Sequence, residues 1–346
     1  SFLGALQGLP VDRLLIRDSS LALVNHDASA RIAFSPVALR WRREPDGQWR
    51  FALDARHEDE QIQGRLELGP GQPVSARGLV EFQAVKAGRL AAWAPRLRAE
   101  PSPDGTLSGR LWLDLAADGA MRMTTELDAR GVGLLEGGVR SVEALATLAR
   151  ENGGWRGRIQ PGEVGLANGQ VLTPGPLSVG RSAEGIWRLA MSRLPLKPLA
   201  ALLPSDAADP PRTGGVAERL ALVWHDAANW RLSADLAAVG LSGPAPWPRL
   251  EGGDAELVAG PRGGRVTFRG LEATTRLPDL LRNPADLTTL RGGLRWWRSP
   301  ADGWHLALDD WRGDWAGTPV ALDGQVWLAP GRSPFVDLEA RTGAAE

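Results

Sequence analysis

Met121-Arg122-Met123-Thr124-Thr125-Glu126-Leu127-Asp128-Ala129-Arg130 alternates without a break between apolar or small residues and polar ones. Successive strand side chains point to opposite faces, so Met121, Met123, Thr125, Leu127 and Ala129 share one face and the charged residues share the other. Just upstream, Leu111, Leu113 and Leu115 repeat the pattern with Asp114 opposed, and Asp118-Gly119 lies between the two runs. An Asp-Gly pair flanked by alternating runs predicts a hairpin, because the turn needs a positive φ.

The alternation recurs along the chain, in Trp49, Phe51, Leu53 and Ala55, in Ile62, Gly64, Leu66 and Leu68, in Trp230, Leu232, Ala234 and Leu236, and in Trp304, Leu306 and Leu308. Val326 and Leu328 continue it, with Asp323-Gly324 before them readable as a turn or as strand. An internal repeat sits on this pattern: residues 39–54 align without a gap onto 294–309, with nine of sixteen positions identical, among them Trp41/Trp296, Pro45/Pro300 and Trp49/Trp304. Looser copies, a tryptophan and a basic residue after a turn, occur at Trp155-Arg156, Trp187-Arg188 and Trp230-Arg231. Their irregular spacing excludes a fixed-length solenoid. The repeating unit is a hairpin, and the expectation is one mainly β, antiparallel structure over 1–346, with 204–215 as the place where it would divide.

Helices are expected to be few and short. They are Ala84 to Trp93, stopped by Pro95, Val142 to Arg150 with Ser141 as N-cap, and a turn or two at Leu196 to Leu203 and Pro278 to Arg282. Pro204 to Pro211 and Gly243 to Pro248 read as linkers or long loops.

Composition narrows the function classes. The 346 residues carry 40 basic and 41 acidic side chains, a net charge of −1, which argues against a nucleic-acid partner. The absence of cysteine excludes disulfides, thiolate catalysis and cysteine-held metals. Lys86 and Lys197 are the only lysines, so nearly all positive charge is arginine, and 15 tryptophans stand beside no tyrosine. No apolar run is long enough for a membrane helix. The chain opens at Ser1 without methionine and stops in mid-pattern, which reads as a mature form or an excised fragment, with any anchor outside it.

No catalytic or metal constellation stands out, and no cofactor is expected. His26, His57, His225 and His305 are scattered and read as surface residues, with no zinc-like spacing. Glu58-Asp59-Glu60 reads as a solvated turn, and Asp309-Asp310 as strand neighbours facing opposite ways. Gly131 to Gly138 misses the dinucleotide pattern by one residue and has no βαβ unit around it. Trp49, Trp230 and Trp304 begin alternating runs on the aliphatic face, which favours packing over a carbohydrate platform.

The hairpin Gly292-Gly293-Leu294-Arg295-Trp296-Trp297-Arg298-Ser299-Pro300-Ala301-Asp302-Gly303-Trp304-His305-Leu306-Ala307-Leu308 resembles the YhdP branch of the large periplasmic AsmA-like proteins. So do the preceding Leu277 to Pro284, the opening segment Gly8 to Leu21, and Gly88 to Pro95 and Leu196 to Leu203, which look like short helices of those modules. The resemblance implies a long, curled β-groove with an apolar concave face, in a periplasmic section of an inner-membrane-anchored protein of the Gram-negative envelope. It implies phospholipid transport between inner and outer membranes, reached through parts outside this chain, and no catalytic residues. The lining is then expected from Phe51, Leu53, Leu66, Leu68, Leu111, Leu113, Leu115, Met121, Met123, Leu127, Leu232, Leu306 and Leu308. The alternative fold is a closed β-sandwich whose apolar face is simply its core. The alternative functions are a structural module binding an envelope protein partner through sheet edges, and a carbohydrate-binding β domain.

Overall fold

The structure, a computed structural model, describes residues 12–24, 31–70, 75–88, 104–134, 138–151, 153–199, 212–242, 249–275, 285–299, 303–315, 317–328 and 335–343. The chain divides into two compact units, Ser1–Leu172 and Thr173–Glu346.

In the first unit, β1 (Arg13–Val24), β2 (Arg31–Arg43), β3 (Trp49–His57), β4 (Glu60–Leu68), β5 (Ala76–Lys86), β6 (Thr106–Leu115), β7 (Met121–Leu134), β8 (Val139–Glu151), β9 (Gly154–Leu166) and β10 (Val171–Leu172) each pair antiparallel with the next. The second unit repeats this plan. It runs through β11 (Leu177–Arg181), β12 (Trp187–Pro195), β13 (Arg212–Asp226), β14 (Asn229–Ser242), β15 (Arg249–Gly260), β16 (Gly263–Thr275), β17 (Ala285–Ser299), β18 (Gly303–Trp315), β19 (Thr318–Leu328) and β20 (Phe335–Thr342). Each strand packs against its sequence neighbours, and among the described residues no facing sheet covers either unit. Each sheet is therefore open and single-layered, and the closed sandwich is not what the chain forms.

One turn design joins many of these strands. In the five-residue loops 44–48, 116–120, 166–170 and 182–186 the fourth residue is a glycine with positive φ: Gly47 (81°), Gly119 (84°), Gly169 (80°) and Gly185 (87°). In each loop the first N–H donates to the fifth carbonyl, and the glycine N–H donates back to the first carbonyl. In three of them the third side chain also accepts from the fifth N–H: Asp46 Oδ1 from Gln48 (3.0 Å), Asp118 Oδ1 from Ala120 (2.9 Å) and Asn168 Oδ1 from Gln170 (3.0 Å). The Asp-Gly signal is thus two separate requirements, a short acceptor and a residue tolerant of positive φ.

The internal repeat is also a repeat of register. Trp41 faces Phe51 and Leu39 faces Leu53, as Trp296 faces Leu306 and Leu294 faces Leu308.

One helix expectation fails. Val142–Arg150 lies in β8, where Val142, Ala144, Ala146 and Leu148 share a face and pair with β7 and β9. Alanine and leucine favour a helix in isolation, but ladders on both sides override that preference. Of the helix expected at Ala84 to Trp93, Ala84 to Lys86 belong instead to β5, Ala87 and Gly88 are helical, and 89–93 lie outside the described residues. Of the helix expected at Leu196 to Leu203, one turn, α1 (Leu196–Leu199), is seen, and 200–203 lie outside the described residues. Pro204 to Pro211, Gly243 to Pro248 and Pro278 to Arg282 lie outside the described residues, and Asp323-Gly324 is strand, within β19.

A line of β-bulges crosses the second unit. Arg219, Ala238, Gly252, Gly270, Thr289 and Asp310, one on each of β13 to β18, have φ between 47° and 79°, and the ladder skips register beside them. Bulges bend the strand that carries them and raise its twist, so the strands bend along a common line. The bulge at Asp310 adds a residue to the strand, so strict alternation does not extend through Asp309-Asp310.

Candidate apolar track

Residues directly opposite in an antiparallel ladder lie on the same face, so the registers trace rows across each sheet. In the first unit one row runs Leu14, Trp41, Phe51, Leu66, Gly78, Leu113, Met123, Leu148 and Gly157. The adjacent row runs Ile16, Leu39, Leu53, Gly64, Val80, Leu111, Thr125, Ala146 and Ile159. Two flanking rows hold Leu68, Leu115 and Met121 on one side and Ile62, Phe82 and Leu127 on the other. The ten candidate residues of this unit therefore fall on one face. In the second unit Leu232 and Leu306 share a row with Ala259, Gly264 and Trp296, and Leu308 lies in the next row with Leu294, Val266 and Leu257.

Burial on this face is uneven. Trp41, Trp49 and Leu68 are buried in a cluster with Leu14, Phe51, Leu66 and Ala76 near the hairpin turns. Phe34, Val37 and Ala55 form another with Leu53 and Ile62 toward the opposite strand ends. Between them Phe51, Leu53, Leu66, Leu111, Leu113, Met123 and Leu127 are only half-buried, and Val80 is 36% exposed. Leu68 is the one candidate that is fully packed away. The rows also alternate large and small: Gly78 lies beneath Leu66, and Gly109 lies beneath Phe82.

The opposite face is charged. Arg50 faces Glu67 with Nε 3.3 Å from the carboxylate, Arg110 faces Glu81 at 2.9 Å, and Arg77 faces Asp114 at 3.7 Å. These exposed pairs contribute about 0–1 kcal/mol each and serve mainly to keep that face wetted. A cleft of about 840 Å³ spans β4 to β9, lined by polar residues such as Gln61, Gln63, Glu81, Arg110 and Glu126 together with Phe82, Leu127, Ala144 and Leu145. Alternation marks which of these residues are polar, but the concavity they form depends on sheet curvature, which no local pattern encodes.

Other sequence candidates resolve individually. Glu60 is 2% exposed and accepts the backbone N–H of Lys86 at 3.0 Å, so it ties β4 to β5, in contrast to a solvated turn residue. His305 stacks on Trp297 (5.0 Å between centroids), and Trp327 stacks on Phe335 (4.7 Å), all on the charged face. Each pair packs ring against ring, and Phe335 remains 54% exposed. His57 and His225 stand beside Glu58 and Asp226, and His26 lies outside the described residues. Among the described residues no group of three or more His, Asp or Glu is placed to hold a metal, and no helix is long and apolar enough to cross a membrane.

A family model described as YhdP protein matches residues 8–346. Neither a curated protein nor a solved structure matches the chain.

Proposed function

Because the chain belongs to the YhdP family, we propose that it is a section of a lipid conduit that moves phospholipid between the inner and outer membranes of the Gram-negative envelope. Membership of that family points to a role in envelope lipid transport. The observation that carries the finer reading is the half-buried apolar face of the first unit, continuous from strand to strand and uncovered by a second layer. Leaving hydrocarbon in water costs about 0.8 kcal/mol per CH₂, or about 12 kcal/mol for a tail of roughly sixteen carbons. Rows of leucine, methionine and glycine remove most of that cost without specific ligands, and they run perpendicular to the strands. A tail therefore passes from strand to strand along the rows.

In this reading the chain works as a conduit and performs no covalent chemistry. It lies in the periplasm, anchored to the inner membrane through parts of the protein outside these residues. Native mass spectrometry of the purified chain tests the proposal. Co-purified phospholipid is the expected result, and a chain that carries no lipid and takes none up from vesicles overturns it.

A second reading, a module that binds an envelope protein, is favoured by β20. That strand pairs with β19 alone among the described residues and exposes Phe335, Val336 and Leu338 by more than half. A stoichiometric protein partner without lipid in a pull-down would select it.

A further inference from the structure

Three hairpins place an arginine directly opposite a tryptophan beside the turn: Arg43 and Trp49, Arg150 and Trp155, Arg181 and Trp187. In each the guanidinium lies over the indole, 5.3, 5.9 and 5.6 Å from the ring centroid. All three pairs sit on the apolar face. Trp49 shares it with Phe51 and Leu53, Arg150 shares a row with Met121 and Leu115, and Trp187 shares it with Leu189, opposite Leu222 and so in line with Leu232.

A cation on an apolar face calls for a partner. The charged-face arginines Arg50, Arg77 and Arg110 each have a carboxylate. Arg43, Arg150 and Arg181 make no ion pair among the described residues, and each keeps an exposed side chain against its indole. A guanidinium attracted by an indole through its charge alone spends no N–H donor on a carboxylate, so its N–H groups remain for another acceptor. Those donors match two oxygens of a phosphate. The turns that carry Arg43 and Arg150 lie on the same edge of the first sheet, because every second turn of a meander returns to that edge. The row between them, Trp49, Leu68, Ala76, Leu115 and Met121, is apolar throughout.

We infer that the Arg43–Trp49, Arg150–Trp155 and Arg181–Trp187 pairs are rim sites for the phosphodiester headgroup of a lipid whose tails lie on the adjoining apolar rows. The inference rests on the acyl-chain reading above and adds the headgroup chemistry to it. The indole suits this boundary, being an apolar plate with one polar edge. A lipid crossing the unit would pass its phosphate from one stacked arginine toward the next while its tails stay on the leucine rows.

The test uses the whole chain and two probes with identical acyl chains, phosphatidylglycerol and diacylglycerol, with lipid retention measured after gel filtration. The double variant Arg43→Gln/Arg150→Gln should retain phosphatidylglycerol about tenfold less well while holding diacylglycerol as before, since each charged hydrogen bond to phosphate is worth roughly a tenfold change or more. Arg43→Lys/Arg150→Lys should recover part of the loss, and Arg50→Gln on the charged face should have no effect. Equal retention of phosphatidylglycerol by the double variant overturns the inference and leaves the apolar track standing. An equal fall for both lipids also overturns it, because the arginines would then act through packing alone. A wild-type chain that takes neither probe overturns the acyl-chain reading itself.

Discussion

The backbone N–H of Asp310 on β18 donates to Asp323 Oδ1 on β19 over 3.1 Å, at the point where a bulge breaks the ladder between those strands. The same device recurs at Ala238, whose N–H donates to Asp254 Oδ1 at 3.3 Å, and at Ala84, whose N–H donates to Ser108 Oγ at 3.0 Å. All three donors have positive φ, and all three acceptors belong to the next strand. A bulge removes a ladder partner from one amide, and a short polar side chain across the gap supplies the replacement.

Replacing that acceptor should cost stability in a local, measurable way. Asp323→Ala and Ser108→Ala should each destabilise the chain by about 1 kcal/mol, the net worth of one hydrogen bond. Amide exchange at Asp310 and Ala84 should accelerate in the respective variant, and unchanged exchange would show that the side-chain acceptor is dispensable.

Leu113 and Met123 are directly opposite on β6 and β7, at the centre of the half-buried rows. A carboxylate there puts charge on the track without removing a ladder hydrogen bond. Leu113→Asp and Met123→Glu should each abolish phospholipid retention while circular dichroism keeps its β signature. Wild-type lipid occupancy in both variants would exclude these rows as the track.

Glycine on the apolar face is expected to matter only where a neighbour occupies the space. A Cβ at Gly109 would overlap the carbonyl oxygen of Glu126 and lie 3.0 Å from Phe82 Cζ, whereas one at Gly64 meets only Leu53 Cβ at 3.7 Å. Gly109→Ala should therefore cost about 1–3 kcal/mol in urea unfolding and Gly64→Ala distinctly less. Equal effects would mean that the two positions are equally crowded.

Asp226 closes the β13–β14 turn. Its carboxylate is held below its ordinary pKa, first by the Asn229 side-chain amide (2.9 Å), then by the Ala228 N–H (2.8 Å) and His225. A depressed folded-state pKa means that this contribution to stability is complete above the ordinary carboxylate range and is lost as pH falls through the folded value. Asn229→Ala should raise the Asp226 pKa toward its ordinary value in an NMR titration and flatten the acid limb of the stability profile. A pKa that does not move would assign the depression to the backbone amide instead.

Much of the fold is legible in strings of residues. Alternation in 121–130 places Met123 and Leu127 on a common face because the pleat has a period of two, and Gly47, Gly119 and Gly169 mark turns because few other residues accept their φ. The run 142–150 shows where such reading stops. Alanine and leucine there suit either a helix or a strand, and hydrogen bonds from β7 and β9 decide between them. Glu60 is equally hidden in the sequence, since it is buried where it accepts the amide of Lys86, 26 positions away.

The residues in order were enough to dictate repeated hairpins, the oily and charged sides of strands such as those at 49–55, 62–68, 111–115 and 121–130, and the likeness of 39–54 to 294–309, because pleat and turn are local properties. The lie of Arg43, Arg150 and Arg181 across their indoles follows from the register that each turn imposes on its two strands. Whether the oily side would be sealed and where bulges would crease the strands follow from how the strands pair in space. Those features depend on through-space partners, which a one-dimensional pattern does not specify.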